Sequence, residues 1–318
     1  MNNVLCMGEL LIDFICSDVN TSLDLGENFK KKAGGAPANV TAAICRLGGK
    51  ASFVGKVGDD PFGKFLKDTL DDLNVDTSML LMDKVEKTTL AFVSLKSNGE
   101  RDFVFNRGAD GCLKYNELNL DKIYSNKVMH FGSATALLSG DMRESYVRIM
   151  QEANSRNIFI SFDPNFRDNL WEENVDDFVQ ISKKCIEFAD FIKVSDEELK
   201  IITGKEDMYE AVDALRGNGN KMVAVTLGKD GTLISTSEKT EIVPSIKIKS
   251  IDSTGAGDAF VGSLLYKISL LDNAKELFKD FNTLRDIVVF ANKVGAIVCT
   301  KLGAIAALPT LEEVENMK

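Results

Sequence analysis

Val4 to Met7 is an unbroken apolar run, Pro37 to Leu47 is apolar at helical spacing, and Ala51 to Val57 is apolar again. Short continuous apolar runs suit strands buried on both faces, and the strand–helix–strand order recurs down the chain. Gly48-Gly49 is placed to stop the first helix. Asp60-Pro61 supplies an N-cap and a first-turn proline to a helix reaching Leu73. Further on, a strand over 128–131 leads to a helix over about 140–155 and a strand over 158–163. Met222 to Leu227 reads as another strand, with long helices over 257–271 and 284–298. Such alternation predicts an α/β fold: a mostly parallel sheet with helices on both faces.

One region departs from this rhythm. Thr89 to Leu95 alternates apolar and polar residues, Asn98-Gly99 offers a tight turn, and Asp102-Phe103-Val104-Phe105 resumes the alternation. That is a strong hairpin pattern. With the apolar run at 10–16, it predicts a small β-sheet flap over one end of the main sheet. No repeat, low-complexity tract or linker interrupts the chain, so one folding unit over 1–318 is expected, with a lid formed by about 14–32 and 88–108.

Composition narrows the function. At 318 residues, with 44% hydrophobic and 27% charged, the chain has the make-up of a large globular domain. No apolar run nears the roughly 18 residues of a membrane span. Glu9 interrupts the first apolar stretch and no basic segment precedes it, so no signal peptide is expected. Six scattered cysteines without a C-x-x-C pair, and His130 as the single histidine, leave little for a zinc site or a Ser-His or Cys-His pair. The cysteines read as small buried hydrophobes in a cytoplasmic protein. His130, in Val128-Met129-His130-Phe131, reads as a buried strand residue. A net charge of −10 disfavours nucleic acid and anionic membrane as partners, but leaves a mononucleotide open.

The segment from Ile251 to Leu265 carries the chemistry. A loop holding Gly255 and Gly257 runs into Asp258-Ala259-Phe260-Val261, the start of an apolar helix. Free amides at a helix N-terminus point toward an anion. Those of Gly255, Ala256 and Gly257 could stabilise the charge that spreads over a phosphoryl group in flight. Asp258, in the first helical turn, would be held ionised by the helix dipole and could take a proton from an attacking alcohol. Read alone, the stretch also fits an ordinary capped helix after a glycine turn. Neither a Walker-type G-x-x-x-x-G-K-[ST] nor a strand-linked G-x-G-x-x-G occurs, so a nucleotide would use another loop.

Two long motifs settle between these readings. Gly34-Gly35-Ala36-Pro37-Ala38-Asn39, followed by Arg46-Leu47-Gly48-Gly49 and by Gly55 through Gly63, resembles the first signature of the ribokinase-like sugar kinases. Asp252 to Phe260 resembles the second, and the likeness runs from about residue 4 to Pro309. Gly-Gly-Ala-Pro-Ala-Asn and Asp163-Pro164-Asn165-Phe166-Arg167 most resemble fructokinases.

The resemblance implies a ribokinase-like core with a lid, and transfer of phosphate from ATP to the primary hydroxyl of a hexose, D-fructose to fructose 6-phosphate. It makes Asp258 the base. It puts Asp13, Gly34, Gly35, Asn39, Phe105, Arg107, Asn165 and Arg167 around the sugar. Asp13 could instead cap a strand end, and Arg167 could be a surface ion pair. Thr226, Gly228 and Gly231 match the ATP loop, Gly257 also lies beside the nucleotide, and Asn292 falls against adenine or ribose unless it is merely a solvated helix-face residue. Ser195 stands where the family's N-x-x-E stretch has asparagine, whereas its glutamate is kept as Glu198, which would help to hold Mg²⁺ through water. Asp252, with the carbonyls of Thr254, Val298, Lys301 and Gly303, matches a monovalent-cation site for K⁺; Ala307 replaces a serine that some relatives use there. A homodimer paired through the flaps is expected, since an exposed strand edge is a liability in a monomer. The rival substrates are 2-keto-3-deoxygluconate and a ribonucleoside. A keto acid calls for aromatic hydroxyls near its carboxylate, whereas the flap carries Phe92 and Phe105. A catalytically inactive sugar-binding regulator is the rival from another class, opposed by the presence of Asp258 and both glycines.

Overall fold

The computed structural model describes residues 3–18, 20–95, 101–171, 174–217 and 221–317. Its strands are β1 (Val4–Met7), β2 (Leu11–Cys16), β3 (Phe29–Gly34), β4 (Ala51–Gly58), β5 (Asp76–Asp83), β6 (Leu90–Leu95), β7 (Arg101–Asn106), β8 (Val128–Gly132), β9 (Phe159–Asp163), β10 (Phe191–Ser195), β11 (Met222–Thr226), β12 (Thr232–Ser235) and β13 (Thr240–Val243). The helices are α1 (Ala36–Arg46), α2 (Pro61–Asp71), α3 (Leu120–Tyr124), α4 (Asp141–Ser155), α5 (Asp168–Trp171), α6 (Val175–Phe188), α7 (Asp196–Thr203), α8 (Met208–Arg216), α9 (Ala256–Ser269), α10 (Phe281–Val298) and α11 (Leu311–Asn316).

Nine strands form the main sheet in the order β13-β12-β11-β10-β9-β8-β1-β4-β5. The seven from β11 to β5 run parallel, whereas β12 pairs antiparallel with β11 and β13 antiparallel with β12. Alternate residues of the buried strands feed opposite faces. Leu5, Met7, Met129, Phe131, Ile160 and Phe162 pack in one core with residues of α4, α6, α7 and α8. Val4, Cys6, Val128, Phe159 and Phe191 pack in another with residues of α1, α9 and α10. The α/β sandwich read from the sequence is therefore present, and Asp60 caps α2 by accepting from the amides of Phe62 and Gly63. His130 is buried on β8, its Nδ1 3.2 Å from Ser161 Oγ, and burial pushes its imidazole down to about 3, so it stays neutral.

A second sheet of four strands, β3-β2-β6-β7, makes the lid. The lid starts at Leu11 and includes Gly34, so its first piece is longer than the expected 14–32. The Asn98-Gly99 turn lies outside the described residues. Register puts Lys32, Asp13, Ala91 and Phe105 in one row across the four strands, and Lys31, Phe14, Phe92 and Val104 in the next. Neighbouring rows face opposite sides. Phe14 meets Phe62 edge-on and stacks on Phe92, and Lys31 lies over Phe65, so that row packs on α2. This corrects the expectation for the flap aromatics: Phe105 shares the face of Asp13, whereas Phe92 belongs to the other.

At the carboxyl end of β1 a charge is buried. Glu9 is 1% exposed; its Oε1 accepts from the Ala36 amide at 2.9 Å and its Oε2 from the Ser133 hydroxyl, which ties β1 to α1 and to the segment after β8. Burial pushes this carboxyl up to about 7, against an ordinary value near 4.3. The folded state thus holds the proton more tightly than the unfolded chain. The stability this contributes is full below about pH 4.3 and is lost as pH rises through about 7. Urea unfolding of wild type and Glu9→Gln between pH 4.5 and 8 should show the wild type losing stability relative to the variant as pH rises. Parallel profiles would refute the buried-acid reading.

Candidate functional site

Ligands of open α/β sheets sit beyond the carboxyl ends of the strands. Here those ends deliver Glu9 after β1, Ser133 after β8, Asp163 at the end of β9, Ser195 at the end of β10 and Thr226 at the end of β11, while the lid comes directly out of β1. Helices α1 and α9 begin at the same place. Asn39 Nδ2, in the first turn of α1, donates to Asp258 Oδ2 in the first turn of α9 at 2.8 Å. Residues 219 positions apart in sequence are joined by one hydrogen bond.

The loop before α9 has the conformation its glycines permit. Gly255 has φ 76°, and a Cβ there would lie 2.5 Å from the Cβ of Ala304. Ala256 and Gly257 follow as the first helical residues, where amides lack partners within the helix. Around Gly257 the space is open: beyond its own helix and among the described residues, a Cβ built there would meet one atom within 4 Å, Lys193 Nζ, at 3.6 Å.

Asp258 itself departs from expectation. Burial pushes its carboxyl above the ordinary value; the Asn39 hydrogen bond and the charges of Arg167 and Lys193 oppose this without cancelling it, and Asp163 adds to the rise. A carboxylate with a raised pKa is a better proton acceptor than an ordinary one.

Asp13 lies over Gly34, where any Cβ would collide with its carboxylate. Burial pushes Asp13 up to about 6, although the charge of Arg167 pulls it down. Gly35 has φ 111° as the N-cap of α1, with the Glu9 carbonyl against it. Arg167 is exposed, donates to the Phe166 carbonyl at 2.8 Å, and lies within electrostatic reach of both Asp13 and Asp258. Asn165 is buried with φ 50°, and its amide accepts a bend from β9 by donating to Asp163 Oδ1 at 3.1 Å. Two buried side-chain atoms here, Asn39 Oδ1 and Asn165 Nδ2, have no hydrogen-bond partner among the described residues. One is an acceptor and one a donor, and buried polar atoms of this kind cost free energy unless a ligand or water meets them.

The remaining expected residues are placed less openly. Arg107 leaves the lid and donates to the carbonyls of Ser139 at 2.6 Å and Thr135 at 3.0 Å, with Asp110 3.8 Å away. Phe105 stacks on Phe103 at 6.0 Å. Ser195 caps α7, accepting from the Glu198 amide at 3.1 Å. Glu198 is buried; its Oε1 accepts from the Phe166 amide at 2.7 Å and its Oε2 from the Ser195 amide at 2.6 Å. Each oxygen keeps a lone pair, so a metal-bound water can still be held. Thr226 donates to the Val194 carbonyl at 3.3 Å, and Gly228 and Gly231 turn with φ 57° and 108°. Asn292 is buried rather than solvated: Thr232 Oγ1 donates to its Oδ1 at 2.7 Å, and its Nδ2 donates to the Val243 and Pro244 carbonyls at 3.0 and 3.4 Å. Those bonds tie α10 to the antiparallel edge of the sheet and leave little of the amide for a nucleotide.

Asp252 bridges two loops. Its Oδ1 accepts from the amide and hydroxyl of Thr254 at 2.9 and 2.7 Å, and its Oδ2 from the Gly303 amide at 2.9 Å. The Val298 carbonyl accepts from the Lys301 amide at 3.1 Å, and Gly303 turns with φ 88°. The donors expected for a monovalent cation thus lie on two loops that Asp252 joins.

Three residues of this region were not singled out from the sequence: Glu9, Asp163 and Lys193. Lys193 is 7% exposed and pairs with Asp163, 4% exposed, at 3.0 Å. The available signal was a charge inside an apolar run, Glu9 between Met7 and Ile12, and Lys193 between Ile192 and Val194. Breaking one side of such a pair costs about 3–5 kcal/mol.

The profile of the pfkB family carbohydrate kinases matches residues 1–311. Fructokinase-2 of Oryza sativa subsp. japonica is 42% identical over 320 residues, covering 99% of this chain and 94% of that protein. A fructokinase with bound ATP from Xylella fastidiosa superposes with a TM-score of 0.87 at 33% identity, covering 98% of this chain and 97% of that one. A double mutant of the Vibrio cholerae O395 fructokinase, in its fructose-, ADP- and potassium-bound form, superposes with a TM-score of 0.83 at 32% identity, covering 99% and 97%. With the family match over residues 1–311 and 42% identity to a fructokinase across 99% of its length, this chain belongs to the pfkB family of carbohydrate kinases and is a sugar kinase of the fructokinase type.

Proposed function

We propose that the chain transfers the γ-phosphoryl group of ATP to the primary hydroxyl of D-fructose, giving fructose 6-phosphate and ADP, with Asp258 as the base. The observation that carries this reading is the Asn39–Asp258 hydrogen bond at the shared start of α1 and α9, beside the open space over Gly257. The sugar oxygen attacks the γ-phosphorus, its proton passes to Asp258, and the bond from phosphorus to the departing ADP oxygen breaks. The amides of Gly255, Ala256 and Gly257 hold the charge that collects on the equatorial oxygens, without having to reorient.

The unpartnered Asn39 Oδ1 and Asn165 Nδ2 suit sugar hydroxyls, which both donate and accept. Asp13 accepts from hydroxyls on the lid side, where Phe105 offers an apolar wall. Glu198, through a water molecule, would help to hold Mg²⁺, which would supply positive charge against the phosphates. K⁺ beside Asp252 and the 298–303 carbonyls would steady the loop that presents the three amides. ATP occupies the turn at Gly228 and Gly231.

Asp258→Asn should keep the fold and ATP binding yet lower kcat by about 10²–10⁴-fold; near-normal turnover would remove Asp258 from the mechanism. Because Asp13 ionises only at about 6 and Asp258 above its ordinary value, kcat/KM for fructose should drop as pH falls through about 6. A pH–rate profile flat down to pH 4.5 would contradict that.

Among sugars, fructose should give a larger kcat/KM than ribose, adenosine or 2-keto-3-deoxygluconate in a coupled assay of ADP release. A larger value for any of those would replace fructose as the substrate while leaving kinase activity intact.

Replacing K⁺ by a bulky organic cation at constant ionic strength, with Mg²⁺ saturating, should lower the rate without abolishing it, because the loop loosens but its amides remain. A rate unchanged across the titration would make Asp252 a structural tie between the 252–254 and 303 loops and nothing more.

A further inference from the structure

We propose that Lys193 is a further catalytic residue: its buried ammonium forms the charged wall of the anion hole at the start of α9 and pairs with the phosphoryl group during transfer. The inference rests on the reading that the phosphoryl group sits over Gly255 to Gly257.

Lysine is almost never buried without a reason, because its ammonium loses its hydration. Lys193 projects from the middle of β10, a strand of otherwise apolar neighbours in Phe191, Ile192 and Val194. Its Nζ stops 3.0 Å from Asp163 Oδ2. One carboxylate leaves further ammonium protons to be placed. On the other side lies the open space at Gly257, where, beyond the helix itself and among the described residues, Nζ is the one atom that a Cβ would meet within 4 Å. A residue with any side chain at 257 would fill that space. Glycine keeps it free, and the cation faces it.

The surrounding charges explain how the ammonium survives burial. Burial alone would favour the neutral amine, but the carboxylates of Asp163, Glu198 and Asp258 outweigh it and hold Lys193 above its ordinary value. Asp163 is already committed through its other oxygen, which accepts from the Asn165 amide. Asp163 therefore acts as a holder: it fixes the ammonium beside the hole without reaching the hole itself. When a phosphoryl group bearing several negative oxygens arrives next to Gly257, Nζ has a second anion within reach. A fixed cation of this kind stabilises charge that is largest in the transition state.

The rival explanation is that Lys193 only neutralises Asp163. Charge pairing separates the two. In the double variant Asp163→Asn/Lys193→Gln a neutral amide pair replaces the ion pair, so neither partner is left as an orphaned buried charge. If Lys193 serves the phosphoryl group, the folded double variant loses about 10²–10³-fold in kcat, keeps its ADP affinity, and loses a comparable factor in affinity for ADP with aluminium fluoride and sugar, which mimics the transferring group. If it serves Asp163 alone, kcat returns to within about fivefold of wild type and the mimic binds as before, which overturns the proposal. An equal loss of ADP affinity and kcat overturns it too, since that marks ground-state binding.

Wild-type protein gives an answer that needs no variant. In a crystal structure with sugar, ADP and aluminium fluoride, Nζ should lie within about 3.2 Å of a fluoride; a distance beyond 4 Å, with Nζ still on Asp163 alone, overturns the proposal. Asp258→Asn run alongside keeps the two hypotheses apart. If that variant turns over normally, the α9 start is not the site of transfer. If it is inactive while Asp163→Asn/Lys193→Gln is active, the site stands and Lys193 has no part in it.

Discussion

Helices α1 and α9 cross with their backbones in contact, and the positions of the other groups follow from that crossing. A Cβ on Gly262 would lie 2.6 Å from the Cβ of Ala43 and 2.7 Å from the Val40 carbonyl, so no other residue lets the helices approach this far. Ala42 and Ala43 are buried on the facing side, and Ala259 lies on α9 one turn before Gly262. Small residues at a crossing trade buried side-chain area for closeness. What the closeness secures is the start of both helices at one point. Asn39 on α1 can then reach Asp258 on α9 at 2.8 Å. A crossing wider by one methyl group would separate the two first turns and leave the Asp258 carboxyl without its amide donor.

A chain with a net charge of −10 meets a triphosphate at a spot surrounded by its own acids: Asp13, Asp163, Glu198 and Asp258. Local bookkeeping resolves the conflict. Glu198 is spent on the amides of Phe166 and Ser195, and Asp163 on Lys193 and the Asn165 amide. Asp13 and Asp258 carry raised pKa values, softened by the charge of Arg167. On the proposed reading, Arg167 and Lys193 are the cations left to meet the phosphate, whereas the acids are paired, partly neutralised or turned to the sugar. At separations of a few ångströms these local terms outweigh distant surface charges, which salt screens over about 8–10 Å.

The legible parts of this protein are those where chemistry is local. Asp60-Pro61, the glycine-rich stretch at 34–39 and Asp252 to Asp258 each state a backbone geometry in a few consecutive residues, and the structure puts turns and helix starts there. The parallel core followed from its apolar runs. Strand β3 was harder: its Phe-Lys-Lys-Lys-Ala-Gly sequence has no alternation, because its lysines are exposed and the pairing with β2 supplies its order. The antiparallel edge β12–β13 is similar, short and dependent on the partner strand. Asn292 could be read as an open helix face because nothing near it in sequence reveals Thr232, Val243 and Pro244, which sit 48 to 60 residues away and take up its amide. Lys193 was passed over for the same reason, since one lysine in a strand means little until Asp163 and Gly257 are set beside it.

The two orphaned amide atoms bring the sugar and the base together in one argument. Asn39 spends its Nδ2 on Asp258 and keeps Oδ1 free, while Asn165 is held in a left-handed backbone that few residues adopt and keeps Nδ2 free. A hydroxyl donating to Asn39 Oδ1 would lie beside the carboxylate to which that same side chain is bonded. The amide that orients the base thereby also measures whether a hydroxyl is in range of it. Sites built to meet buried polar groups reject partners that leave those groups unpaired far more strongly than apolar pockets reject a poor fit. On the proposed reading, two unpaired amide atoms therefore favour a sugar over water as phosphoryl acceptor, and one of them belongs to the side chain that bonds Asp258.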